Sequence, residues 1–135
     1  MNFEFTEEQL MIQQTARDFA KAEIAPTSVE RDKEAKFPTE LVKKLGELGF
    51  MGMMVSPQYD GAGLDTVSYV LAMIEISKVD ASVGVIMSVN NSLVCFGLEK
   101  WGSDFIKEKY LKPLARGEKL GAFALSEPEA GSDAT

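Results

Sequence analysis

The residues best equipped for chemistry stand together near the end of the chain, in Ala124-Leu125-Ser126-Glu127-Pro128-Glu129-Ala130-Gly131-Ser132-Asp133. Two hydroxyls, Ser126 and Ser132, are spaced along it, and Gly131 lets backbone approach a ligand with no Cβ in the way. The preceding Lys119-Leu120-Gly121-Ala122-Phe123-Ala124-Leu125 reads as a strand. The polar stretch therefore opens where a strand stops, with backbone N–H groups free to bind a ligand. By composition alone such a cluster of Pro, Gly, Ser and Asp is equally a plain turn. With a ligand beside it, it is a cofactor-binding edge.

What the chain lacks narrows the chemistry. It has no histidine, which removes the usual general base and the commonest metal ligand, and no metal site is expected. Its one cysteine, Cys95, lies in Ser92-Leu93-Val94-Cys95-Phe96, where a buried small apolar side chain is expected and an internal disulfide is impossible. With 21 acidic against 14 basic residues the net charge is −7, which disfavours nucleic acid and anionic membrane surfaces. A chain of 135 residues, 45% hydrophobic and 26% charged, has the composition of one globular domain. The start, Met1-Asn2-Phe3-Glu4-Phe5, carries no basic segment and no apolar run, so neither a secretory signal nor a transit peptide is expected, and a bacterial-type cytoplasmic product or a mature form is.

The elements that must position this stretch are helices. Thr6-Glu7-Glu8-Gln9 reads as a capping box, with Phe5 and Leu10 placed as a hydrophobic staple. Ile12, Ala16, Phe19, Ala20 and Ile24 recur at helical spacing, and Pro26 is expected to stop the pattern before a charged connection from Thr27 to Lys36. Pro38 restarts a helix with Leu41, Val42, Leu45 and Leu48 on its apolar face, and Gly49 is placed as its left-handed terminus. The Met-rich run Phe50-Met51-Gly52-Met53-Met54-Val55 is expected in the core or at a domain interface. Asp65 or Thr66 caps a third helix, Asp80 a fourth running to about Lys100, and Ser103 a last one that Pro113 ends. The fourth is almost wholly apolar from Val83 to Val89, hence central. Ser88, Asn90, Asn91 and Ser92 interrupt it, so no membrane span is expected.

The ten positions from Ala124 to Asp133 resemble the signature of the acyl-CoA dehydrogenase family: small, aliphatic, Ser or Thr, Glu, two variable, small, Gly, Ser or Thr, Asp. Tyr59-Asp60-Gly61-Ala62-Gly63 resembles the Gly-rich loop of that family's N-terminal domain. Trp101-Gly102, with Lys109-Tyr110-Leu111-Lys112-Pro113-Leu114-Ala115-Arg116-Gly117-Glu118, resembles the run into its flavin-binding strand. The resemblance covers essentially the whole chain, in order.

The resemblance implies an all-α helical bundle over residues 1–118 and the first strand and loop of a following β-domain over 119–135. A lone strand cannot satisfy its ladder, so the chain is expected to continue beyond Thr135. It implies FAD as cofactor, with the backbone of Phe123, Ala124, Leu125 and Ser126 beside the flavin ring, the Ser126 hydroxyl on its pyrimidine edge, and Gly131 and Ser132 on the phosphates. Ser132 also matches the position that touches the CoA portion. Family members often carry Thr at the place of Ser126, whose methyl restricts χ1, so a looser bond is expected here. Glu127 is expected as a structural acceptor. Glu129 is expected to face solvent, since its charge would be repelled by a pyrophosphate.

The resemblance further implies that an acyl tail runs between the loop after the second helix and the fourth helix, with Ile86, Met87, Ser88, Val89 and Met54 as candidates for its wall. The segment Gly84 to Leu93 is more similar to short-chain, butyryl-CoA-type members than to medium-chain ones. The implied reaction is α,β-dehydrogenation of an acyl-CoA, as in β-oxidation, with an electron-transferring flavoprotein as oxidant and a homotetramer as assembly. The family's glutamate base matches no position here, so the 135-residue chain alone is expected to be inactive. Two other readings stay open: a non-catalytic helical interaction module, and an acyl-CoA oxidase-like or nitroalkane-oxidising relative.

Overall fold

The structure is a computed structural model that describes residues 4–133. Met1 to Phe3 and Ala134 to Thr135, read above from the sequence, lie outside the described residues. Among the described residues five helices carry the fold: α1 over residues 7–34, α2 Thr39–Glu47, α3 Thr66–Ser77, α4 Ala81–Trp101 and α5 over residues 104–115. The bundle stacks α1 on α3 and α3 on α4, while the later half of α4 packs on α5.

Where a cap was legible, the helix starts there. Thr6 Oγ1 accepts from the Gln9 N–H at 3.2 Å and Gln9 Oε1 accepts from the Thr6 N–H at 3.0 Å, closing the capping box. The staple does not bury its partners: Phe5 and Leu10 both stay about half exposed. Asp65 caps α3, Asp80 caps α4, and Ser103 caps α5. Gly49 is left-handed at φ 76°, and its Schellman bonds run from Gly49 N–H to Gly46 and from Phe50 N–H to Leu45.

Both prolines expected to end helices lie inside them. Pro26 is preceded by the π-turn Ala20–Ile24 and Pro113 by the π-turn Lys107–Leu111. The N–H groups of Ala25 and Lys112 reach back five residues, to Ala20 and Lys107. A proline in a regular helix lacks its donor and presses its ring on the carbonyl four residues back. Widening the register just before it places the proline at a local first turn, and the helix continues. The expected charged connection from Thr27 is therefore helix as far as Glu34, and α1 ends at Ala35 in the left-handed region.

Two apolar clusters make the core. The larger joins Ala16, Ile24, Leu45, Met53, Ile76 and Met87, and the smaller joins Val55, Cys95, Leu111, Leu114 and Ala115. Met51 and Met53 are fully buried, as the Met-rich run suggested. Burial pushes the Cys95 thiol up to about 12, so it is inert while folded. A maleimide added to the native chain should modify Cys95 only at the rate of opening, and rapid labelling at neutral pH without denaturant would contradict this packing.

By length and composition alone α4, with 21 residues and a stretch of mean hydropathy 1.5, is long and apolar enough to cross a membrane, a property that the core helix of a bundle shares. Its polar interruption turns inward: Asn90 and Asn91 are buried and bonded within the bundle. Nor is it buried all round, because Val85, Leu93 and Phe96 stay exposed.

The expected strand at Lys119–Leu125 is not formed among the described residues. A strand exists by its ladder, and this segment has no neighbouring strand to bond. The residues just beyond it do hold shape: Glu127 and Ala130 form an isolated antiparallel bridge, Glu127 N–H donating to the Ala130 carbonyl at 2.7 Å, around a Pro128-Glu129 turn.

Candidate functional site

The site is built around a third π-turn, Val89–Cys95, in the middle of α4. It presents two consecutive carboxamides to the interior, Asn90 at 0% exposure and Asn91 at 2%. Around them lie three pieces of backbone that no helix can satisfy: the Met-rich turn, the end of α5 and the start of the 119–126 segment. Buried backbone donors and acceptors must be paired. The two asparagines do it.

Asn91 Nδ2 donates to the carbonyls of Phe50 and Met87, each at 2.9 Å, and Asn91 Oδ1 accepts from the Met53 N–H at 2.8 Å. Asn90 Nδ2 donates to the carbonyls of Met51 at 2.7 Å and Leu114 at 3.1 Å, with the Cys95 sulfur at 3.7 Å. Asn90 Oδ1 accepts from the Gly121 N–H at 2.9 Å. One carboxamide thus ties the polar segment to the helix that carries the acyl-wall candidates.

Close backbone approach needs glycine at two of these junctions. A Cβ on Gly121 would lie 2.7 Å from the Val94 side chain, and one on Gly117 would lie 2.7 Å from the Gly46 Cα. Gly117 also takes φ 72°, which a side chain would oppose. The neighbouring Arg116 donates to Asp60 at 2.6 Å and, with two nitrogens, to Glu118 at 2.8 and 3.0 Å. The Gly-rich loop folds back on the Met-rich turn through Ala62 N–H to Gly52, Gly63 N–H to Val55 and Leu64 N–H to Met53. Two stretches picked out by resemblance, the Gly-rich loop and the run into residue 118, therefore meet at Arg116.

Beyond Gly121 the segment is open. Phe123 and Leu125 expose 56% and 48% of their surface, and Ser126 and Ser132 are exposed. Among the described residues none accepts from the N–H groups of Phe123, Leu125 or Ser126. Apolar side chains, unused donors and a hydroxyl in succession suit a flat heteroaromatic ring with a polar edge. Gly131 has open space around it, and Glu129 faces solvent as expected.

The acyl-wall candidates separate. Met87 is wholly buried in the main core and offers no surface to a ligand. Ile86, Ser88, Val89 and Met54 are half-buried. Ile86 also borders an open groove of about 860 Å³ with Val29, Phe37, Val79 and Val85. That groove and its neighbour of about 500 Å³, around Arg31, Phe37 and Pro38, are not lined by the 119–133 segment. Among the described residues no acidic, cysteine or histidine cluster could hold a metal ion.

The family model for the acyl-CoA dehydrogenase N-terminal domain matches residues 6–118. The chain belongs to the acyl-CoA dehydrogenase family. It is 46% identical over 133 residues to the short-chain specific acyl-CoA dehydrogenase of Clostridium acetobutylicum, covering 98% of this chain and 35% of that one. It superposes on the butyryl-CoA dehydrogenase of Megasphaera elsdenii with a TM-score of 0.93 at 40% identity, over 99% of this chain and 36% of that one. A chain from a structure described as the electron transferring flavoprotein of Acidaminococcus fermentans gives a TM-score of 0.95 at 46% identity, over 99% and 35%. The chain spans about a third of the length of the relatives it matches.

Sequence reasoning passed over the two asparagines, reading them only as breaks in an apolar run. The signal was present: two adjacent carboxamides in the middle of an otherwise apolar helix need partners inside the fold.

Proposed function

We propose that this chain is the flavin-edge and acyl-wall portion of an FAD-dependent acyl-CoA dehydrogenase acting on short-chain acyl thioesters. The observation that carries the reading is the open Phe123–Ser126 segment fixed beside α4, with free N–H donors, exposed apolar side chains and the Ser126 hydroxyl in succession. Family membership and the likeness to short-chain and butyryl-CoA dehydrogenases support the substrate class.

FAD, when bound, accepts the hydride that leaves the β-carbon of the acyl group. The residues of this chain hold and orient. The backbone of Phe123, Ala124, Leu125 and Ser126 would lie beside the ring, the Ser126 hydroxyl would bond its pyrimidine edge, and N–H donors at that edge would favour the charge that develops there on reduction. Gly131 and Ser132 supply N–H donors to the phosphates, and Ser132 contacts the CoA portion. Ile86, Ser88, Val89 and Met54 form the acyl wall, with Met87 supporting it from the core. No residue here matches the family base, so the α-proton is removed by a carboxylate outside these 135 residues.

In the whole protein, residues 1–118 form the helical unit and 119–135 enter a β-layer, where the 119–125 segment finds the neighbour a strand requires. An electron-transferring flavoprotein as oxidant, a homotetrameric assembly and a cytoplasmic location complete the reading. Exposed Phe96, Trp101 and Phe105 give it apolar surface for assembly.

The test is the visible spectrum of the full-length protein before and after anaerobic butyryl-CoA. A flavin band that bleaches on addition is expected, and a Ser126→Ala variant should bleach at least about tenfold more slowly, the worth of one lost donor at a developing charge. A full-length protein that purifies colourless and takes up no FAD would overturn the reading. Rapid reoxidation by air would move it to the oxidase-like relatives.

A further inference from the structure

The segment that carries the flavin contacts has few attachments to the bundle. After the turn at Arg116–Glu118, the hydrogen bond from Gly121 N–H to Asn90 Oδ1 joins the segment to α4. Asn90 is fully buried, and its Nδ2 is held in place by the Met51 and Leu114 carbonyls, so its Oδ1 cannot rotate away without losing both. Val94, one turn further along α4, closes on Gly121 from the same side. The acyl-wall candidates Ile86 and Val89 stand on that same helix, up to one turn before Asn90.

We propose that Asn90 is a positioning residue that fixes the register of the flavin-contact segment against the acyl-wall helix, so that the distance between ring and acyl chain is set by one buried carboxamide. This inference rests on the flavoenzyme reading for its catalytic consequence, but not for the clamp itself. Asn90 touches neither ligand. It acts through the Gly121 backbone on Phe123 and Ser126, and through α4 on the acyl wall. Catalysis by orientation is sensitive to small displacements of the reacting groups, so loosening the clamp should affect the chemical step more than it affects stability.

A purely structural role makes a different forecast. Asn91 is equally buried and also holds three core groups, but nothing in the 119–126 segment. If Asn90 only stabilised the core, Asn90→Ala and Asn91→Ala would behave alike. The test compares both variants with Gly121→Ala in the full-length protein. Gly121→Ala leaves the Asn90 bonds to Met51 and Leu114 and all the Asn91 bonds in place while pushing the segment off Val94 and away from Asn90 Oδ1, so it remains informative if the asparagine variants fail to fold. Three quantities are read: exchange of the Gly121 amide, FAD dissociation constant, and kcat and KM with butyryl-CoA.

The Gly121 amide should be protected in the parent and exposed in Asn90→Ala. Asn90→Ala and Gly121→Ala should each weaken FAD by about tenfold, the scale of one lost buried hydrogen bond, and lower kcat more than they raise KM. Asn91→Ala should leave the FAD affinity within about threefold of the parent, well short of the tenfold step of one lost bond. A freely exchanging Gly121 amide in the parent would overturn the clamp, as would equal FAD affinities in the Asn90 and Asn91 variants or a Gly121→Ala protein with parental kinetics. A parent that takes up no FAD, yet protects Gly121 in an Asn90-dependent way, would refute the flavoenzyme reading and the catalytic role while leaving the clamp as structure.

Discussion

Replacing Asn91 with alanine is expected to destabilise this chain by about 3–4 kcal/mol, the sum of several buried polar groups losing their partner. The side chain is 2% exposed and makes one acceptor and two donor bonds, at 2.8, 2.9 and 2.9 Å. Two of its partners, the Phe50 carbonyl and the Met53 N–H, belong to an irregular turn with no helical neighbour to take over. A buried donor or acceptor left unpaired costs about 1–3 kcal/mol, which outweighs what the truncation saves in side-chain entropy. Urea unfolding of the 135-residue chain is the measurement, with a lower midpoint at unchanged slope as the expected form. Asn91→Asp should cost more, because a carboxylate would face two carbonyl oxygens in the core. A loss below about 1 kcal/mol for Asn91→Ala, the net worth of a single ordinary hydrogen bond, would mean that the turn is satisfied without it.

That dependence also explains which parts of the fold the sequence disclosed. Helix starts are local events: Thr6, Asp65, Asp80 and Ser103 each bond to a backbone N–H within three residues, and all four stand where their residue types placed them. Helix ends at Pro26 and Pro113 were misplaced because a proline breaks a helix only in α register, and each follows a π-turn whose wider register no residue type announces. The strand at 119–125 fails for a different reason. Its pattern is sound, but a strand is a property of two segments, and the described residues hold only one.

The candidate site divides along the same line. Ser126, Gly131 and Ser132, which we propose for the ligand, are legible in a short motif because such contacts need particular atoms at particular spacings. What holds the motif in place is not. The bond between Asn90 and Gly121 spans 31 residues, the Asn91 bond to Phe50 spans 41, and Arg116 finds Asp60 across 56. No periodicity encodes such pairings. Met87 entered the acyl-wall set through the family resemblance, and its complete burial in the larger apolar cluster is a product of tertiary packing that the apolar pattern of α4 does not encode.

Acidification should expose a second long-range tie, between α1 and α3. Glu75 is 5% exposed and receives Arg17 through two nitrogens at 3.1 and 3.2 Å, Lys78 at 3.0 Å and Gln13 at 3.3 Å. The Arg17 hydrogen bond is the chief reason that its carboxyl is lowered from 4.5 to about 2. A folded carboxyl below its unfolded value binds fewer protons than the unfolded chain. Its contribution is therefore complete above the unfolded value near 4.5 and disappears as pH falls towards 2. At 1.36 kcal/mol per unit the shift corresponds to about 3 kcal/mol, which solvent screening around the partly exposed Arg17 and Lys78 reduces to about 1–2 kcal/mol. Asp65, Asp80 and Glu118 are lowered as well, so the whole chain should lose stability over the same acid range. The share of Glu75 is the difference between parent and Glu75→Gln. That difference should be constant from pH 8 to about 5 and should shrink below, as the unfolded-state carboxyl takes up its proton. A gap that stays constant down to about pH 2.5 would show that Arg17 and Glu75 are in contact without being energetically coupled.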